Sequence, residues 1–228
     1  MTNSEVCVVM PAFNESGVID SVLREFEGLG YCVVLVDDGS TDDTYQRALG
    51  FPVTVLRHAC NLGQGAALQT GISYALRRTQ TKFIVTFDTD GQHVPGDIPR
   101  LLEPLRRATH DVVLGSRFIS GGRAVNMGVL KNMTLKLAVT FTRLSVGLAL
   151  TDTHNGLRAF TAEAAAQIFL TQNGMAHASE LLAQIKEREL RFCEVPVTVR
   201  YTAYSRAKGQ SVLNGVNILW EIVGGKVR

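Results

Sequence analysis

Four short apolar runs, each ending in small or acidic residues and followed by a helix-like stretch, constrain this chain more than any other feature. Val6 to Met10, Cys32 to Val36, Val53 to Leu56 and Lys82 to Phe87 are rich in β-branched and aromatic residues. Runs this short, bounded by turn residues, read as buried strands. Between them, helices are expected from Asn14 to about Leu29, from about Asp43 to Leu49, and after Asn61-Leu62-Gly63-Gln64-Gly65 to about Arg78. Such β-α-β alternation predicts an α/β fold with a mostly parallel central sheet covered by helices on both faces. All the strand ends then lie on one edge, where ligands bind in open sheets of this kind. Pro11 to Glu15, Asp37-Asp38-Gly39, Asn61 to Gly65 and Asp88 to His93 are therefore expected to line a single cleft.

After Pro95 a helix is expected to about Ala108, then a strand Asp111 to Leu114 ending at Gly115-Ser116-Arg117-Phe118. Beyond it the alternation stops. Asn126 to Leu150 reads as a long apolar helix carrying Lys131, Lys136 and Arg143, followed by a short strand near Leu157 to Phe160 and helices near Ala162 to Leu170 and Ser179 to Arg188. Phe192 to Arg200 alternates like a late strand, and Pro196 confines it to an edge. With neither repeat nor linker, residues 1–228 read as one domain with an irregular C-terminal third.

Bulk properties exclude several classes. A net charge of +2 with 19% charged residues gives no electrostatic footprint for nucleic acid. Cys7, Cys32, Cys60 and Cys193 show no Cys-x-x-Cys or Cys…His spacing and read as buried thiols of a reducing compartment, neither disulfides nor zinc ligands. Met1 to Glu5 is short and polar, so no signal peptide is expected. No apolar run approaches the ~18 residues of a membrane span.

The acidic turn at the fourth strand end carries the chemistry. Asp88, Asp90 and the Gln92 amide oxygen offer hard oxygen donors, a partial shell for Mg²⁺ or Mn²⁺ that a phosphorylated ligand would complete. An Asp turn capping the next segment is the alternative. Gly-x-Gly-x-x-Gly is missing after the first strand, and so is the P-loop motif, which removes dinucleotide and standard P-loop readings.

Taken together, PAFNE, VDDGSTD, N-x-G-x-G-A-A, D-x-D-G-Q-H and GSRF, in that order, closely resemble family-2 glycosyltransferases of the GT-A fold. Within that family the chain looks most like the dolichol-phosphate mannose synthase and polyprenyl-phosphate glycosyltransferase group, over roughly Val6 to Ser211. The resemblance implies that Pro11, Ala12, Phe13, Glu15 and Gly65 contact the nucleotide and that Asp38 faces the base. It further implies that Asp88, Asp90 and Gln92 bind the metal bridging the diphosphate, with Asp88 also on the nucleotide and Asp90 serving catalysis. Asp37 and Asp42 read as turn and cap residues. Gln64 departs from the family, where a basic residue is common at that place.

The same resemblance puts residues 1–118 on the nucleotide-sugar side and 119–228 on the acceptor side. It implies that Arg117, Lys131, Arg206 and Lys208 hold donor and acceptor phosphates, Arg as a planar fork and Lys as a point charge. The glycine after Lys208 suits a mobile loop closing over the donor. His93 reads as a packing or hydrogen-bonding residue, and Asp152 in Asp152-Thr153-His154-Asn155-Gly156 as shaping the acceptor side. The Q-x-x-R-W signature of polymerising relatives is missing. The expected reaction is metal-dependent, inverting transfer of a hexose from a GDP- or UDP-sugar to a polyprenyl phosphate, by a cytoplasmic protein lying on the membrane surface. Transfer to a saccharide hydroxyl is the alternative.

Overall fold

A computed structural model describes residues 3–128, 135, 139, 147–153 and 155–208, with only the backbone at 206–208. Strands β1 (Val6–Ala12), β2 (Cys32–Asp37), β3 (Thr54–Arg57) and β4 (Phe83–Thr86) are parallel neighbours in the order β3-β2-β1-β4. Beyond β4 lie β7 (Arg158–Thr161), antiparallel to both its neighbours, then β5 (Val112–Ser116) and, at the edge, β8 (Phe192–Pro196). A two-stranded ladder of β6 (Arg123–Val125) and β9 (Thr198–Arg200) completes the strands.

The sheet buries both faces, which is why its strands read as continuous apolar runs. Val6, Val8, Met10 and Ala12 face one layer with Ile19, Val22 and Leu23 of α1 (Ile19–Arg24), Ala48 of α2 (Thr44–Ala48) and Ile98, Leu101, Leu102 and Leu105 of α4 (Ile98–Arg106). Cys7 and Val9 face the other layer, with Ala67, Leu68, Ile72 and Ala75 of α3 (Gln64–Leu76), Ala164 and Ala165 of α5 (Ala162–Gln167), and Leu181, Leu182 and Ile185 of α6 (His177–Glu187). Thr161 starts α5 by accepting the Ala164 N–H on its hydroxyl at 3.1 Å, an ordinary N-cap.

Several expectations are corrected. Pro11 does not stop β1: the strand runs through it to Ala12, in register with Val36 and Asp37 of β2. The β4 ladder ends at Val9, so the missing Pro11 N–H falls where no partner strand runs, and its carbonyl instead accepts from Thr89 Oγ1 at 2.7 Å. The first helix begins at Ile19 rather than Asn14, because the N–H groups of Asn14, Glu15 and Ser16 are taken by Ser40, Thr44 and Asp42 across the cleft, and Asn14 sits at φ 53°.

The strand expected over Phe192 to Arg200 is two. Pro196 ends β8 on the sheet edge; Val197 then turns the chain, donating to Ser116 and accepting from Arg123. Strand β6 was not expected at all. Asn126 stands in a turn at φ 60° and residues 147–150 are not helical, so the long helix expected from Asn126 to Leu150 does not fill that span; most of it lies outside the described residues. Among the cysteines only Cys7 is buried, Cys32 and Cys193 are half-buried and Cys60 is exposed, and all four are free. Among the described residues no helix is long and apolar enough to cross a membrane.

Candidate active-site cleft

The carboxyl ends of β1, β2 and β4 meet along one edge, and the residues there are tied to one another. Asp37 is fully buried with its carboxylate 3.1 Å from Arg57 Nε, and Arg57 stacks over the Tyr45 ring. Asp38, also buried, accepts from Leu62 N (2.9 Å) and His58 Nδ1 (2.7 Å) on Oδ1 and from Gly63 N (2.7 Å) on Oδ2. Its first job is to set the loop that starts α3. Asp42 accepts from the Ser16 and Thr44 N–H groups. Burial pushes its carboxyl up, but the bonds from Thr44 and Ser16 outweigh that and hold it down at about 2.

Gly65 does structural work in the same loop. Its N–H donates to Asn173 O at 2.8 Å, and a Cβ there would stand 2.0 Å from Gln172 O and 2.9 Å from His177 Cβ. The absent side chain lets the 172–174 segment lie against the start of α3. That segment is braced by Glu180, which accepts from Thr171 N and Gln172 N.

The acidic turn after β4 sits between these loops and the later part of the chain. Asp88 Oδ1 accepts from Gln64 Nε2 (2.9 Å), and Oδ2 lies 3.3 Å from His93 Nε2. Asp90 accepts from Gln92 N (3.0 Å) and Gln92 Nε2 (2.6 Å). Burial pushes the Asp88 carboxyl up; the His93 hydrogen bond and the charges of His93, Arg158 and His177 more than offset it, so the group is lowered and anionic. His93 is buried edge-on against Phe87, as a packing residue. Gln92 O accepts from Arg200 N, which ties the turn to β9.

The donor set of Asp88, Asp90 and Gln92 fits Mg²⁺ or Mn²⁺: two carboxylates and an amide are hard oxygens. Gln92 turns its NH₂ onto Asp90, so its carboxamide oxygen is left for a ligand role. Among the described residues no three His, Cys, Asp or Glu side chains group together.

Arg117 is not an open cation. Its side chain is 5% exposed, with Nε 2.6 Å and Nη2 3.3 Å from the two oxygens of Asp152, itself 1% exposed, and Nη1 donates to Tyr201 Oη at 2.6 Å. Burial pulls the guanidinium down, and Asp152 with Tyr201 more than offsets it. The fork locks the end of β5 to Asp152 and Tyr201, because Asp152 matches its geometry bidentately.

Glu15 is buried at the end of β1, where its Oε2 accepts from Tyr204 Oη at 2.8 Å. Tyr204 belongs to α7 (Ala203–Lys208), so part of the expected mobile loop is a short helix docked on the cleft. Burial first, then the Glu15 bond and the charges of Glu15, Asp42 and Asp90, push the Tyr204 hydroxyl up. Phe13, at the same strand end, is exposed. Lys131 and His154 lie outside the described residues, as do the side chains of Arg206 and Lys208.

Sequence reasoning missed Arg158 and Tyr204. Arg158 is buried in β7, with Nε donating to Asn155 O at 2.9 Å, and feels the charges of both Asp88 and Asp152. The signal was a charged residue inside the apolar run Leu157 to Phe160.

Residues 7–169 match the family model described as glycosyl transferase family 2. The chain belongs to that family. This glycosyltransferase is 37% identical over 230 residues to an uncharacterized protein of Methanocaldococcus jannaschii, covering 100% of this chain and 94% of the relative. It is 31% identical over 244 residues to the UDP-N-acetylglucosamine--dolichyl-phosphate N-acetylglucosaminyltransferase of Methanococcus voltae, covering 98% and 96%. Among solved structures it is similar to glucosyl-3-phosphoglycerate synthase from Mycobacterium tuberculosis in complex with Mn²⁺ and UDP-glucose. There the TM-score is 0.70 at 20% identity, covering 96% of this chain and 76% of that one. The glycosyltransferase therefore has a GT-A-like fold, as its sequence motifs imply.

Proposed function

We propose that this glycosyltransferase transfers one hexose from a GDP- or UDP-sugar to a polyprenyl phosphate, with inversion at the anomeric carbon and dependence on a divalent cation. The observation that supports the reading is the Asp88, Asp90 and Gln92 oxygen set at the carboxyl end of β4, with Gln64 at the start of α3 on Asp88. The Methanococcus voltae relative, named for a dolichyl-phosphate acceptor, supports the acceptor class, and the Mn²⁺ and UDP-glucose of the mycobacterial neighbour support the donor and cation.

Pro11, Ala12 and Phe13 at the end of β1, with Glu15 and Asp38 behind them, form the nucleoside side, about residues 1–118. Asp88, Asp90 and Gln92 would hold Mg²⁺ or Mn²⁺, which when bound neutralises charge developing on the departing diphosphate. A phosphate oxygen of the acceptor attacks the anomeric carbon as its bond to the diphosphate breaks, so the nucleoside diphosphate leaves and a glycosyl phosphate forms. That oxygen is anionic at neutral pH and needs no general base. Lys131, Arg206 and Lys208 supply phosphate contacts, while Arg117 and Asp152 fix the floor of the acceptor side, residues 119–228. Because such an acceptor is confined to a bilayer, the protein works peripherally at the cytoplasmic membrane face.

Turnover of donor by purified protein tests this reading. Asp90→Ala removes an electrostatic stabiliser of the leaving diphosphate, and turnover should fall at least ~10²-fold. Near-normal turnover by that variant, or full activity in EDTA, overturns the assignment.

A further inference from the structure

We propose that Cys32 and Cys7 form a peroxide-oxidisable dithiol at the amino ends of β2 and β1, a modification site in which Cys32 is the attacking sulfur and Cys7 the resolving one. The pair lies at the opposite end of these strands from the cleft and stands independently of the glycosyl-transfer reading.

Cys7 is the second residue of β1 and Cys32 the first of β2, and they are in-register neighbours of a parallel ladder. Both therefore point to the same side of the sheet, here the layer that contains α3. Cys7 Sγ donates to Cys32 Sγ at 3.9 Å, joining thiols 25 residues apart in sequence. A disulfide is ~2.05 Å long and spans Cα atoms ~4.4–6.8 Å apart, a range that includes the ~4.8 Å spacing of neighbouring strands. Each sulfur needs to move only about 1 Å to close the bond, with the backbone where it is.

The two thiols differ in access and in charge. Cys7 is fully buried, whereas Cys32 is only half-buried and can be reached by a small oxidant. The bond from Cys7, joined by the charge of Arg78 just past the end of α3, outweighs burial and lowers the Cys32 thiol. The same bond, burial and the Cys32 charge push the Cys7 thiol up. Cys32 is thus the better nucleophile, and Cys7 holds its proton until a sulfur beside it becomes an electrophile.

The Cys32 thiolate attacks one oxygen of hydrogen peroxide: an S–O bond forms, the O–O bond breaks, and the departing hydroxide takes up a proton as water. Cys7 then gives up its proton and its sulfur attacks that of Cys32. The S–O bond breaks, and hydroxide leaves with that proton as a second water. Two thiols and one peroxide become one disulfide and two waters. The cross-link ties β1 to β2 around the segment that holds α1, and a dithiol reductant reopens it.

Each of the four cysteines falls in its own tryptic peptide, so peptide mapping tests the proposal. The full chain is reduced, treated with stoichiometric hydrogen peroxide, quenched with an alkylating reagent in denaturant and mapped by mass spectrometry, with dimedone present in a parallel sample. The unaltered protein should give linked Cys7 and Cys32 peptides, lost on treatment with dithiothreitol, while exposed Cys60 is recovered as the alkylated thiol. Cys7→Ser removes the resolving sulfur and should leave the Cys32 dimedone adduct as the main product. Cys32→Ser should abolish the reaction and leave Cys7 alkylated. Oxidation of Cys60 without a Cys7–Cys32 link overturns the proposal, as does a link that forms only when peroxide is added in denaturant. Dimedone on Cys7 in Cys32→Ser, with none on Cys32 in Cys7→Ser, overturns the assignment of the attacking sulfur. The unaltered protein decides whether the pair closes even if neither variant folds.

Discussion

Tyr204 donates its hydroxyl to Glu15 across 189 residues of sequence, joining α7 to the loop that follows β1. The ring also packs against Gly17, where a Cβ would stand 2.9 Å from Tyr204 Cε2. Hydrogen bonds to charged groups contribute about 1.5–3 kcal/mol, so Tyr204→Phe should raise opening of α7 by about one to two orders of magnitude. Limited trypsin cleavage after Arg206 or Lys208 should accelerate in the variant, and donor should suppress it less than in the unaltered protein. Identical cleavage kinetics would remove the latch.

The Arg117–Asp152 pair makes a stability prediction. Removing one partner of a buried pair strands the other charge, at a cost of about 3–5 kcal/mol. Asp152→Ala should therefore lower the denaturant midpoint sharply. Restoring most of the loss with Arg117→Met in the same chain would show that the stranded guanidinium was the cause.

Close approach at Gly65 makes another. Gly65→Ala places a methyl against Gln172 O and His177 Cβ, and overpacking of this kind costs about 1–3 kcal/mol. The loss should appear in urea unfolding, with faster amide exchange of the Gly65 N–H as its bond to Asn173 O breaks. An alanine variant as stable as the parent would show that the 172–174 segment is not seated there.

Acid stability should depend on Asp42. Its folded pKa of about 2 lies below the unfolded value near ~3.9, so the unfolded chain binds the proton more readily. The contribution is therefore fully present above about pH 4 and is lost as pH falls through about 2. Asp42→Asn should be less stable than the parent at neutral pH, with the gap closing across that window. A gap that stays constant from pH 5 to about 2 would contradict the assignment.

Much of this molecule was legible in its sequence where one force dominates. The runs Val6 to Met10 and Cys32 to Val36 are strands because both sheet faces are buried, and apolar continuity reports that directly. The Asp88 and Asp90 pair could be placed at a strand end from the sequence because the apolar run before it stops there. What stayed hidden depends on contacts far apart in sequence. Nothing near Arg117 in the sequence announces that Asp152, 35 residues on, holds it. Nothing in the run around Gly65 announces that its N–H donates to Asn173, more than a hundred residues on. Pro11 looks like a strand stop until the register shows that β4 has already ended beside it. Periodicity carries no record of such pairings. The three-residue β6 is too short to have any period at all.

Acceptor choice tests the central claim most directly. The purified protein should be incubated with Mn²⁺ and a panel of GDP- and UDP-sugars, in parallel with a polyprenyl phosphate, the matching polyprenol and a saccharide. Organic extraction then separates lipid-linked sugar from water-soluble product. Sugar should appear on the polyprenyl phosphate with one donor of the panel, and neither the polyprenol nor the saccharide should be labelled. Transfer to the saccharide hydroxyl, with none to the lipid phosphate, would contradict the account.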